Sequence, residues 1–433
     1  MSTNHHRSAR RFARLLIGAI LLLSSPAFAD TVVPSSEVTT GVVIRAGAST
    51  QSANLGVLHP GDKASLLGSV PNWYRIQLAD GTQGFVSKRW TQVVPEPSAP
   101  TFTIDAVDVG TGLGIVVRGP DFTLVYDGGS NDDLARGTGN RMLAYLKAVA
   151  PTLTTIDGVI LSHPHRDHVE LLPDLFAAYQ VREVWDSGRV NDICGYRAFV
   201  EAVRDEPGVK YHNALQVFGT RDYVFGAATC YGQPVAAETV AITLDSRITN
   251  TPITLGQGAT MTILHANGAP LASVNDNSLV VRLNLGSASI LLMGDAEAGG
   301  RADPGTMPTI ASVEGALLAC CAADLAAQVL VVGHHGSETS SRQAFLNAVG
   351  ASTFIVSAGP TKYGSVTLPD AVVISELESR GQVFRTDTND AACKTNPAKI
   401  GPDADGRAGG CDNIRMVIAP NLPLAVSVWH GVD

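Results

Sequence analysis

Thiolate metal patterns, repeats and broad basic surfaces are all missing from this chain. It has six cysteines but no C-x-x-C pair, which removes the commonest thiolate zinc and redox patterns. There is no short repeat and no low-complexity tract. Long apolar runs are scarce too. After the run Leu15 to Leu23 no segment reaches the ~20 apolar residues of a membrane-spanning helix, so the sequence does not make a membrane channel. Basic residues number 31 against 40 acidic, a net charge of −9. Such a surface repels polyanions at long range and gives no broad electrostatic footprint for nucleic acid, although a metal could still capture phosphate locally.

The 433 residues are 45% hydrophobic and 16% charged, enough for more than one domain with a sizeable core. Arg7, Arg10, Arg11 and Arg14 precede the apolar run, and Ala27-Phe28-Ala29 follows it. This order predicts a signal peptide over residues 1–29, cleaved before Asp30, and hence a periplasmic or secreted protein with no membrane span after cleavage. Cleavage removes four arginines and no acids, leaving 27 basic against 40 acidic residues, a charge of about −13. In an oxidising compartment the six cysteines point to disulfides. Cys393 and Cys411 bracket a polar Gly/Asp-rich insertion and are the first expected pair. Of the adjacent Cys320 and Cys321, at most one is expected to reach a distant partner.

Residues 30–37 read as a short linker. Between Val38 and Val94 short alternating runs such as Gly41 to Arg45 and Trp73 to Leu78 are separated by Pro60-Gly61-Asp62 and Ala79-Asp80-Gly81, the pattern of a small β-barrel. Ile44-Arg45-Ala46-Gly47, Trp73-Tyr74-Arg75-Ile76 and Gly84-Phe85-Val86 resemble landmarks of bacterial SH3-like domains, which implies possible contact with cell-wall peptide. Trp73, Tyr74 and Phe85 are read as core filling. A Pro-rich linker over 95–101 marks the boundary. From residue 102 to 433, strand and helix patterns recur in two halves with ligand-type residues at strand ends, which fits an α+β fold, an αββα sandwich.

The chemistry centres on Leu161-Ser162-His163-Pro164-His165-Arg166-Asp167-His168, after the apolar run Gly158 to Leu161. Neutral imidazole and ionised carboxylate are both metal ligands at neutral pH. His163 and His165 suit one ion, Asp167 and His168 a second. Asp295, after Leu291-Leu292-Met293-Gly294, is placed to bridge them. A donor set of His and Asp without thiolate suits Zn or Mn. His334 and His335 also follow a buried strand; one faces the site and the other packs.

This stretch has the HxHxDH form of the metallo-β-lactamase superfamily. Asp108-Val109-Gly110-Thr111-Gly112, Tyr126-Asp127-Gly128-Gly129, Asn275-Asp276-Asn277-Ser278-Leu279-Val280, Asp295 and Gly333-His334-His335-Gly336-Ser337 resemble, in order, the motifs of its ComEC-type competence protein branch. The resemblance implies that Asp127 supports the histidine loop and that Asn275 or Asp276 stands where many members carry a third histidine. It also implies that Asp167 and His334 take part in catalysis. One departure stands out: where the branch has Y-G-H-P-H, this chain has Tyr363-Gly364-Ser365-Val366-Thr367, without either histidine. The implied activity is hydrolysis of a phosphodiester such as DNA. The alternatives are a wall-associated small phosphoester of the choline phosphate type, or a wall-binding protein whose metal site has decayed.

Overall fold

The structure, a computed structural model, describes residues 30–94, 100–132, 137–215, 218–388, 412–420 and 424–429. The expected signal peptide, residues 95–99 of the expected linker and the expected Cys393–Cys411 pairing lie outside the described residues. The chain divides into two compact units, Met1–Ser98 and Ala99–Asp433.

The first unit is one antiparallel seven-stranded sheet in the order Asn54–Leu58, Val42–Arg45, Gln83–Ser87, Trp73–Gln77, Ala64–Val70, Thr31–Pro34, Thr91–Val94. Alternation sends Val32, Val42, Ile44, Leu58, Ala64, Ile76 and Val86 into one small core. Two expectations change here. Residues 31–34 are not linker: their β-branched run pairs on both sides, and Val32 is fully buried. Trp73, Tyr74 and Phe85 are only half-buried, because the aliphatic residues already fill so small an interior.

The second unit holds two large sheets. The first has nine strands, ordered Ser246–Arg247, Lys210–Asn213, Gln180–Asp186, Thr155–Leu161, Thr123–Gly128, Gly114–Arg118, Phe102–Ala106, Asn413–Ile418, Ala425–Trp429. The second has seven: Ile253–Gly256, Ala259–His265, Val280–Leu285, Ala288–Leu292, Val329–Val331, Thr353–Val356, Gln382–Arg385. Side-chain alternation explains why they stack. In Thr123–Gly128, Leu124 and Tyr126 enter the core between the sheets while Val125 faces the other way. In Ala288–Leu292, Ile290 and Leu292 enter that shared core and Leu291 faces outward.

The outward faces are covered by helices. Arg141–Val149, Pro173–Ala178 and Cys194–Asp205 pack on the first sheet, and Val313–Cys321, Gln343–Val349 and Ala371–Glu378 on the second. The layers are α, β, β, α, as the two-halves pattern implied. Asn140 caps its helix by accepting from the Leu143 N–H. Sequence patterning missed a hairpin inserted between the halves, Gly219–Phe225 with Glu238–Leu244, and its small tip, Ala228–Cys230 with Gln233–Val235. Cys230 of this tip is disulfide-bonded to Cys194 at the start of a helix. Cys320 and Cys321 are bonded to each other, so neither reaches a distant partner. Among the described residues no helix is long and apolar enough to cross a membrane.

Candidate metal centre

The strands Thr123–Gly128, Thr155–Leu161, Ala288–Leu292 and Val329–Val331 deliver their following loops to one place. The two sheets are tied together there: the Tyr126 hydroxyl donates to the Leu279 carbonyl (2.8 Å), and the Leu279 N–H donates to the Ser162 carbonyl (2.9 Å). His163 and His165 lie in the loop after Leu161. Asp167 and His168 lie on the helical turn Arg166–Val169, not on the loop itself. The turn presses against backbone: a Cβ on Gly129 would meet the His168 nitrogen at 2.2 Å, so only glycine fits there.

Asp127, in left-handed backbone (φ 56), anchors this loop. Its Oδ1 accepts from the Ser162 N–H (2.6 Å), and its Oδ2 accepts from the Ser162 hydroxyl (2.6 Å) and His168 Nδ1 (2.8 Å). With Nδ1 thus engaged, His168 presents Nε2 to the interior. His335 is oriented the same way, its Nδ1 donating to the Ser357 carbonyl (2.8 Å). His334 and His335 both hold positive φ (49 and 53), a strained pair of non-glycine residues of the kind that clusters at functional sites.

Asp295 lies among these rings. Its Oδ1 is 3.2 Å from His168 Nε2 and 3.5 Å from His335 Nε2. Its Oδ2 is 3.7 Å from His163 Nε2 and 3.8 Å from His334 Nε2. Nε2 of His168, Nε2 of His335 and Oδ1 of Asp295 are buried, and none has a hydrogen-bond partner among the described residues. Buried polar atoms without partners are costly, and three converging on one point are what a cation satisfies. Among the described residues, two sets of ligand atoms could hold an ion: His163, His168 and Asp295, and Asp167, His168 and His335. His165 Nδ1 is 2.9 Å from His163 Nε2, at the edge of the first set.

The electrostatics agree with the donor chemistry. Burial holds the His163 ring well below its usual range, so the ring is neutral, the form that binds a metal ion. Burial also opposes charge on His168, but Asp295 and Asp127 outweigh it and hold that ring well above its usual range. Burial opposes charge on Asp295 as well; His168, His335 and His334 outweigh it and keep the carboxylate ionised. A cation would take over the balancing role of the His168 proton.

The structure rearranges several expected roles. His335, not His334, faces Asp167, at 3.6 Å. His334 stands at the rim beside Thr339 Oγ1 (2.5 Å) and Glu297 (3.3 Å). Asn275 turns toward the histidines, donating to Glu297 (3.0 Å) with its Oδ1 buried and unpartnered among the described residues. Asp276, by contrast, is half-buried near His265. Ser365 and Thr367 are exposed on a hairpin, Lys362–Tyr363 with Val366–Thr367. Site residues that were not expected from sequence include Asn131, Glu297 and Tyr363. Glu297 is two residues after Asp295 and Tyr363 is in the stretch searched for histidines, whereas nothing local marks Asn131.

A profile of the Metallo-beta-lactamase superfamily matches residues 107–359, more than half of the chain. The chain belongs to this superfamily. Its fold binds divalent metals, one or two, and is generally hydrolytic. A Bacterial SH3 domain matches residues 40–92. Recombination protein 2 of Haemophilus influenzae is 26% identical over 262 residues, covering 60% of this chain and 25% of that protein. Competence protein ComA of Neisseria gonorrhoeae is 25% identical over 314 residues, covering 71% and 34%. Both bear out the resemblance to the ComEC-type branch, and the chain spans only a quarter to about a third of their length. Among solved structures, the metallo-beta-lactamase fold protein YhfI from Bacillus subtilis is similar at TM-score 0.37 and 15% identity, covering 65% of this chain and 96% of that one. CmlA, a diiron beta-hydroxylase from Streptomyces venezuelae, is similar at 0.36 and 12%, covering 69% and 54%.

Proposed function

We propose that the chain is an exported, metal-dependent phosphodiesterase. The observation that carries this reading is the division of Asp295, one oxygen toward His168 and His335 and the other toward His163 and His334. His163, His165 and Asp295 would hold one divalent ion, and Asp167, His168, His335 and Asp295 a second, with Zn or Mn suited to these donors. When bound, such ions supply activated water and neutralise charge that develops on the substrate. The protein's part is to fix the ligands. Asp127 sets the His168 tautomer, Ser357 sets that of His335, and Ser278 Oγ accepts from the Asp295 N–H (3.1 Å). His334, backed by Glu297 and Thr339 at the rim, would meet a substrate oxygen.

DNA is the first substrate reading, supported by relatives named for recombination and competence. The acidic charge favours weak, salt-tolerant capture over tight binding along many phosphates. A small wall-associated phosphoester of the choline phosphate type is the second reading. It is supported by the Bacterial SH3 domain, a cell-wall-binding type of module, in which Trp73, Trp90, Glu37 and Arg45 line a cavity of about 420 Å³. Metal analysis of the purified protein, followed by hydrolysis assays on single- and double-stranded DNA and small phosphodiesters with and without chelator, tests the proposal. Protein that takes up no Zn or Mn and cleaves none of these substrates overturns it and leaves a wall-binding protein.

A further inference from the structure

The departure from the Y-G-H-P-H pattern has a structural counterpart. Tyr363, on the hairpin that lacks the histidines, donates its hydroxyl to Asp167 Oδ2 at 2.5 Å. Asn131 donates to the same oxygen at 3.1 Å, and also to the Tyr363 hydroxyl at 3.0 Å. The three side chains close a ring of hydrogen bonds around the oxygen that faces His335 Nε2. The base of the hairpin is fixed as well. The Thr361 N–H donates to Thr111 Oγ1 (2.8 Å), the Thr361 hydroxyl donates to Asp132, and Asp132 also accepts from the Thr111 N–H. The Asn131 N–H donates to the Thr111 carbonyl (2.8 Å). Tyr363 and Asn131 are therefore presented to Asp167 from one anchored support, at the boundary with solvent, where Tyr363 is 38% exposed.

We infer that Tyr363 and Asn131 are positioning residues for the second metal: they fix Asp167 and so supply, by hydrogen bonding, the retention that a late histidine would supply by ligation. A carboxylate on a short helical turn can rotate about its side-chain bonds. Two donors converging on Oδ2 stop that rotation and keep this oxygen on the side of His168 and His335. Loss of a hydrogen-bond partner of a ligating group lowers metal affinity by about 10–100-fold. The inference rests on the metal reading of the site and adds to it which residues decide whether the second ion stays.

The test titrates Zn²⁺ and Mn²⁺ into metal-free full-length protein, with bound ion counted by mass spectrometry under graded chelator. Wild type, Tyr363→Phe, Asn131→Ala, the double variant and Lys362→Ala are compared. The expected result is a second ion weakened about 10–100-fold in Tyr363→Phe and Asn131→Ala, with the first ion unchanged. The double variant should be little worse than either single one, since both act through one carboxylate. Excess metal should restore turnover in Tyr363→Phe, and Lys362→Ala should match wild type. Phenylalanine on a part-exposed hairpin leaves the core untouched, and unfolding of the metal-free variants checks this directly. If wild type binds two ions and both variants bind them equally well, the inference is overturned while the metal reading stands. A raised KM at unchanged metal content also overturns it, because Tyr363 then contacts substrate. Wild type that binds no ion overturns the metal reading and this inference together.

Discussion

Replacing Asp127 with asparagine tests the support of the whole site with the smallest change of shape. The native carboxylate accepts three hydrogen bonds in a fully buried position: from the Ser162 N–H, the Ser162 hydroxyl and His168 Nδ1. Asparagine has one oxygen and one NH₂, so one side must put donor against donor. With NH₂ in the Oδ1 place, the Ser162 peptide N–H loses its acceptor and cannot turn away. With NH₂ in the Oδ2 place, the hydroxyl can rotate to accept, but His168 must move its proton to Nε2, the atom aimed at the ligand cluster. The first arrangement strands a buried donor and the second removes a ligand. Hydrogen bonds to a charged group contribute about 1.5–3 kcal/mol each, and removing one partner of a buried ionic pair costs about 3–5 kcal/mol. Asp127→Asn should therefore destabilise the metal-free protein by about 3–5 kcal/mol and weaken metal binding about 10–100-fold. Urea unfolding of the metal-free protein gives the first quantity and competition with a chelating dye gives the second. A variant within about 0.5 kcal/mol of wild type, with the same metal affinity, would refute the reasoning.

His163→Ala and Asp295→Ala should each abolish phosphodiester turnover and lower bound metal together, read by elemental analysis beside the activity assay; full metal content with lost turnover would mean that these residues act on substrate instead. Burial pushes the Glu314 carboxyl up to about 8, against the backbone N–H groups of Ser341 and Arg342 and the Arg342 charge. Its folded value exceeds the usual 4.5, so its contribution to stability is present below that pH and is lost as pH rises through about 8. Urea midpoints from pH 6 to 9 should fall in wild type and flatten in Glu314→Gln, and equal slopes would count against the assignment. Cys194→Ser with Cys230→Ser should cost about 2–4 kcal/mol in thermal unfolding, since the bond closes a loop of sequence separation 36. A peptide map without reductant that finds either thiol free would contradict the pairing.

The order of residues along the chain already determined the sandwich and the ligand classes. Near-continuous apolar runs such as Leu124 to Tyr126 and Gly158 to Leu161 require strands buried on both faces, and strands of that kind stack as paired sheets under helices. His163, His165, Asp167 and His168 are close in sequence, so any loop leaving Leu161 gathers them. Asp295 was legible because an acid after four buried residues must find a partner. Tertiary structure decided everything that depends on orientation. Which of His334 and His335 faces inward is set by left-handed backbone and by the Ser357 carbonyl, 22 residues away from His335. Which of Asn275 and Asp276 turns inward is set by the 3-10 turn that carries them. Asn131 and Tyr363 are separated by 232 positions and meet at Asp167 only because Thr111 and Asp132 anchor the hairpin base. Sequence spacing encodes which groups are near along one strand or turn; contacts between side chains brought in by different loops depend on how the two sheets are stacked, and no local pattern records that.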